Sequence, residues 1–125
     1  MPSHVHMIIG SRQNKLEEIL RDMKSFTSTT MKNAITDHPY ESRKEWMLWR
    51  MERVGKANSN NNDYQFWQQH NKPLEITSQE KFNKKLDYIH QNPVQSGFVT
   101  NHEDWKYSSA RDFFGMKGLI ELSYS

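Results

Sequence analysis

Near the start of the chain lies an apolar run, Val5-His6-Met7-Ile8-Ile9, whose need for a partner constrains the fold more than any other feature. Val5, Met7 and Ile9 alternate with His4, His6 and Ile8, the period of two expected of a strand. A strand at a terminus has open edges, so its neighbours must come from later in the chain or from residues preceding it. Two later segments qualify as short strands, Tyr64–Gln68 and Leu74–Thr77. The chain shows no internal repeat, and its 125 residues fit a single domain over 1–125.

Helices account for most of the rest. Asn14 and Glu17 are spaced as a capping box, and Leu16, Ile19, Leu20, Met23 and Phe26 follow at helical intervals. That helix extends toward Ile35 through Thr27-Ser28-Thr29-Thr30, a stretch of weak helix propensity. Asp37-His38-Pro39-Tyr40 breaks it. Ser42 and Glu45 form a second capping box for a helix from about Arg43 to Val54. Trp46, Leu48, Trp49 and Met51 make this helix apolar on more than one side, so it is either deeply packed or a surface for a partner. A polar loop, Ala57–Asp63, follows. Thr77 and Glu80 cap a third helix to about Asn92, ended by Pro93 and Gly97. Ser108–Gly115 reads as a short capped helix.

Composition narrows the function classes. Apolar residues make up 34%, so the core is small, while 12% aromatic residues argue against a disordered chain. A net charge of +2 does not establish nucleic-acid binding, and the placement of charge must carry that case. The absence of cysteine excludes disulfides, thiolate metal sites and a cysteine nucleophile. No run is long enough for a signal peptide or a membrane span, so a soluble cytoplasmic protein without a membrane partner is expected.

Two groups carry chemistry. On a strand His4 and His6 point the same way and can converge on one divalent ion, although two ligands alone are weak and such a tripeptide also arises by chance. Asn92 or a nearby carboxylate is a candidate third ligand. At about 100° per residue, Phe82, Leu86 and Ile89 share the core face of the third helix, and Tyr88 lies well off it. Lys81, Lys84 and Lys85 project near Tyr88, and Asn92 sits one turn further along the same side. A tyrosine there can attack phosphate if positive charge or a metal favours its phenolate, and lysines attract a phosphate backbone. From spacing alone, Tyr88 also fits an ordinary half-buried tyrosine on a solvated face.

The order of motifs adds to this reading. Met1-Pro2-Ser3-His4-Val5-His6, Phe66-Trp67-Gln68-Gln69, Tyr88-Ile89-His90-Gln91-Asn92-Pro93-Val94-Gln95-Ser96-Gly97 and Trp105-Lys106-Tyr107-Ser108-Ser109-Ala110 occur in the order found in one family. From its first residue to about Gly118 the chain resembles the REP-associated tyrosine transposases, relatives of the HUH single-tyrosine transposases of insertion sequences. The resemblance implies a ferredoxin-like α+β core, N-terminally truncated here because relatives carry further strands before the histidine segment. It also implies Mg²⁺ or Mn²⁺ held by His4, His6 and Asn92, with Tyr88 forming a 5′-phosphotyrosine on single-stranded or hairpin DNA. His70 and Lys72 depart from the Asp and His of the similar subgroup, which bears on DNA contacts. Two rival expectations stand beside this one. The first is a DNA-binding remnant without catalysis. The second is a partner-binding module using Trp46 and Trp49.

Overall fold

A computed structural model describes residues 3–60 and 63–123; Asn61 and Asn62 of the polar loop and Met1-Pro2 of the first motif lie outside the described residues. The described residues form helices α1 (Leu16–Asp37), α2 (Lys44–Lys56), α3 (Gln79–Gln95) and α4 (Ala110–Phe113), with a 3₁₀ turn at His102–Asp104. Contacts divide the chain into two compact units, Gly10–Pro73 and the combination of Met1–Ile9 with Leu74–Ser125.

The expected α+β, ferredoxin-like class is overturned, because no strand forms among the described residues. A strand exists only through backbone hydrogen bonds to a neighbour, and none of the three candidates pairs with another. Residues 4–9 run without regular structure, and Val5, Met7 and Ile9, the expected inward face, are exposed while Ile8 is half-buried. Tyr64–Gln68 becomes a strap within the Gly10–Pro73 unit. Its Gln65 amide donates to the Met51 carbonyl at 2.9 Å, and Trp67 Nε1 donates to Thr27 Oγ1 at 2.7 Å. Tyr64 Oη and Thr29 Oγ1 lie 3.1 Å apart, and Lys32 Nζ sits 4.3 Å from the centre of the Tyr64 ring.

The hydroxyl-rich stretch of α1 stays helical because its side chains bond back into their own helix. Thr27 Oγ1 donates to Met23 O at 2.7 Å, Ser28 Oγ to Lys24 O at 2.6 Å and Thr30 Oγ1 to Phe26 O at 2.9 Å. Thr27 and Ser28 are half-buried, and Phe26, expected inside, is exposed. Neither capping box forms on α1 or α2, whose N-caps are Lys15 and Arg43. Glu41 takes over at α2, its carboxylate accepting from the Arg43 amide at 2.9 Å. The strap crosses α2 so closely at buried Gly55 that a Cβ there would lie 2.6 Å from the Tyr64 backbone nitrogen.

Unit Met1–Ile9 with Leu74–Ser125 is organised by α3. Its cap is Ser78, one residue beyond the expected Thr77, and Ser78 Oγ accepts from the Lys81 amide at 3.2 Å. The helix passes through Pro93 rather than stopping at Asn92, because a proline near the last turn removes one bond without blocking the turns before it. It ends in a Schellman motif: Phe98 N–H donates to Pro93 O and Gly97 N–H to Val94 O, both at 2.9 Å, with Gly97 at φ 73°. The Asn-Pro-Val-x-x-Gly signature is therefore a helix stop as well as a motif.

Both units are thinly packed. Ile35, Met51, Pro93 and Ala110 are the buried apolar side chains among the described residues. The accessible surface is 10475 Å² for a mass of 15.0 kDa, whereas two separate compact halves of that mass would expose only about 8,500 Å². Apolar surface is left uncovered in each unit.

Candidate functional site

Tyr88 stands on the outward side of α3, half exposed, with Phe82, Leu86 and Ile89 half-buried behind it. Helix α3 positions it firmly, through the Ser78 cap at one end and the Gly97 stop at the other. The extended N-terminal segment belongs to the same unit. It brings the His6 ring edge-on to Tyr88, with centroids 5.4 Å apart and planes at 79°. His4 meets His6 in turn at 4.8 Å and 88°. The structure thus gathers His4, His6 and Tyr88, although by ring contacts rather than on a strand.

His6 is held below its ordinary pKa, first by burial and then by the neighbouring His4. A neutral imidazole offers a nitrogen lone pair to a metal, so this shift favours ligation near neutral pH. Ser3 Oγ lies 3.0 Å from His4 Nδ1.

Asn92, one turn beyond Tyr88, supplies the most telling atom. Its Oδ1 is buried and has no hydrogen-bond partner. Buried acceptors are normally satisfied, and an orphan costs about 1–3 kcal/mol. A cation or a donor on a ligand would satisfy it. Among the described residues no three His, Asp, Glu or Cys side chains gather as a metal site. The donors expected from the sequence are two imidazoles and one amide oxygen. That mixture fits Mn²⁺ better than Mg²⁺, which prefers oxygen ligands throughout.

The lysines are less concentrated in charge than their spacing suggests. Lys84 Nζ donates to Glu80 Oε1 at 2.6 Å, and Lys81 Nζ to Thr77 Oγ1 at 3.3 Å. Lys81, Lys84 and Lys85 are all exposed, on the side of α3 that carries Tyr88. Asp87, also exposed, tempers the field next to the tyrosine.

Spacing alone did not reveal the role of His90. It is buried, with Nε2 2.9 Å from Ser109 Oγ, its ring edge-on to Phe113 and stacked at 6.3 Å with His102. Burial, then the charge of His102, lowers its pKa. This imidazole pins α3 to the segment ahead of α4, and it lies on the face opposite Tyr88. Of the residues singled out in the other unit, His70 and Lys72 adopt left-handed backbone, at φ 68° and 48°.

Compared with known protein families, curated proteins and solved structures, the chain gives no match. No helix among the described residues is long and apolar enough to cross a membrane.

Proposed function

We propose that the chain cleaves and rejoins single-stranded or hairpin DNA through Tyr88, as a transposase of the single-tyrosine class it resembles. The observation that carries this reading is the contact of His6 with Tyr88, with His4 against His6. His4, His6 and the orphaned Asn92 Oδ1 would hold Mg²⁺ or Mn²⁺. When bound, such a cation polarises a non-bridging phosphate oxygen and offsets the charge of the transition state.

The chain's own residues do the rest. Lys81, Lys84 and Lys85 attract the phosphate backbone to the outward face of α3. The Tyr88 oxygen attacks phosphorus and forms a P–O bond, while the bond from phosphorus to the 3′ oxygen breaks. The phenol proton leaves to solvent, which half-exposed Tyr88 reaches, and the departing 3′ oxygen takes up a proton. A 5′-phosphotyrosine and a free 3′-hydroxyl result. Attack by a 3′-hydroxyl reverses the exchange, so no energy cofactor is required.

A second reading has its own support. The histidine segment is exposed and held by no strand, which suits a DNA-binding remnant that no longer completes the site. Incubation with a labelled hairpin oligonucleotide in Mn²⁺ separates the two. A covalent adduct present in the wild type and absent in Tyr88→Phe supports cleavage. Salt-sensitive binding without any adduct supports the remnant.

A further inference from the structure

Helix α2 has two opposite faces. Met51 and Gly55 are buried and Leu48 half-buried on one, while Trp46, Trp49, Arg50 and Arg53 form an exposed stripe on the other. Within the stripe each indole carries a guanidinium one turn ahead. Arg50 lies 5.6 Å from the Trp46 ring and Arg53 lies 5.1 Å from the Trp49 ring. The two indoles remain 53% and 51% exposed, which leaves ring surface open beside each cation. Among the described residues neither arginine enters an ion pair, whereas the nearby Lys56 is neutralised by Glu52 at 3.1 Å.

We propose that this tryptophan–arginine stripe binds single-stranded DNA, stacking bases on Trp46 and Trp49 and contacting phosphates with Arg50 and Arg53. A nucleic-acid strand presents a flat ring and an anion in every repeat, and the stripe presents two exposed rings, each with a cation beside it. Neighbouring positions one turn apart on a helix are about 5–6 Å apart, within two stacked base steps of about 3.4 Å each. A lipid surface would require a broad apolar face, and here the two indoles share theirs with Arg50, Arg53 and the Glu52–Lys56 pair. A symmetric contact with a second copy would set the same two arginines against each other. The choice of DNA over RNA rests on the reading of Tyr88 given above; the stacking argument does not.

The test uses the full chain carrying Tyr88→Phe, in EDTA, so that neither cleavage nor metal contributes. Anisotropy of a labelled oligothymidylate of about 15 nucleotides reads binding, with circular dichroism confirming that each variant stays helical. Trp46→Ala with Trp49→Ala weakens binding on the order of tenfold or more, while the two phenylalanine replacements retain most of it. Arg50→Gln with Arg53→Gln flattens the slope of log affinity against log salt by about 1.4, two single-strand phosphate contacts. Affinity unchanged in the alanine pair would overturn the proposal, as would tighter binding of oligouridylate. So would a loss in that pair of self-association, or of sedimentation with anionic phospholipid vesicles, while oligonucleotide affinity persists. A failed adduct assay leaves this surface standing, and failed binding here leaves Tyr88 standing.

Discussion

Replacing Asn92 with leucine separates a site from an accident of packing. Asn92 Oδ1 is buried without a partner, and that orphan costs about 1–3 kcal/mol in the metal-free protein. Leucine has nearly the same volume, buries no acceptor, and is better by roughly 0.5 kcal/mol as a helix former in α3. Asn92→Leu therefore stabilises the metal-free protein by about 1.5–3.5 kcal/mol. For a unit of this size each kcal/mol moves Tm by about 4–8 °C, so the gain is readily seen in a thermal melt in EDTA. In Mn²⁺ that advantage shrinks. The wild type gains about 2.7 kcal/mol at a hundredfold excess over Kd, and the leucine variant loses most of that gain. A variant that melts lower than wild type in EDTA would show that Oδ1 carries no penalty. An undiminished shift with Mn²⁺ would remove Asn92 from the ligand set.

Further predictions follow from the same geometry. Gly55→Ala forces a Cβ into the Tyr64 backbone and costs about 1–3 kcal/mol or more, outweighing the gain in helix propensity; urea denaturation followed by tryptophan fluorescence checks it. Gly97→Ala meets nothing within 4 Å yet must hold φ 73°, so it costs about 1–2 kcal/mol of backbone strain, and Gly97→Asn recovers much of the loss. His90 has its pKa lowered below 6.5, chiefly by burial and then by His102, with Asp87 acting the other way. The unfolded chain then binds the proton more tightly. Stability from His90 is present above pH 6.5 and falls as pH drops toward the lower folded value, a fall that His90→Gln flattens in urea midpoints measured across that window.

How much was legible depended on whether the deciding contact was local. The face of α3 was, because Tyr88 and the half-buried Phe82, Leu86 and Ile89 follow from rotation along one helix. The helix stop at Gly97 was also local, since a Schellman cap is written within six residues. The strand at Val5–Ile9 was misread because alternation describes what a strand needs and not whether a partner exists. Here Tyr64–Gln68 spends its hydrogen bonds on α1 and α2 instead. His90 could not be placed without Ser109, nor Gly55 without Tyr64, because both depend on contacts made by chain distant in sequence. The association of His4 and His6 with Tyr88 came from the order of motifs, and the geometry now brings their rings together without the sheet.

That substitution of ring contacts for a backbone ladder has a consequence for the site. A strand would fix His4 and His6 before any ligand arrives, whereas here an exposed segment meets Tyr88 through a ring contact. Binding a cation would then order residues 4–9, and a DNA strand arriving afterwards would meet histidines and tyrosine already in register. Two ligands that each require the same ordering bind with positive cooperativity even when they do not touch. Mn²⁺ is therefore expected to slow amide hydrogen exchange in residues 4–9 and to tighten oligonucleotide binding by Tyr88→Phe. Oligonucleotide should tighten Mn²⁺ binding by the same factor. Unequal factors in the two directions would show an incomplete equilibrium, and a factor of one in both, with exchange at residues 4–9 unchanged, would mean that the segment is held without the cation.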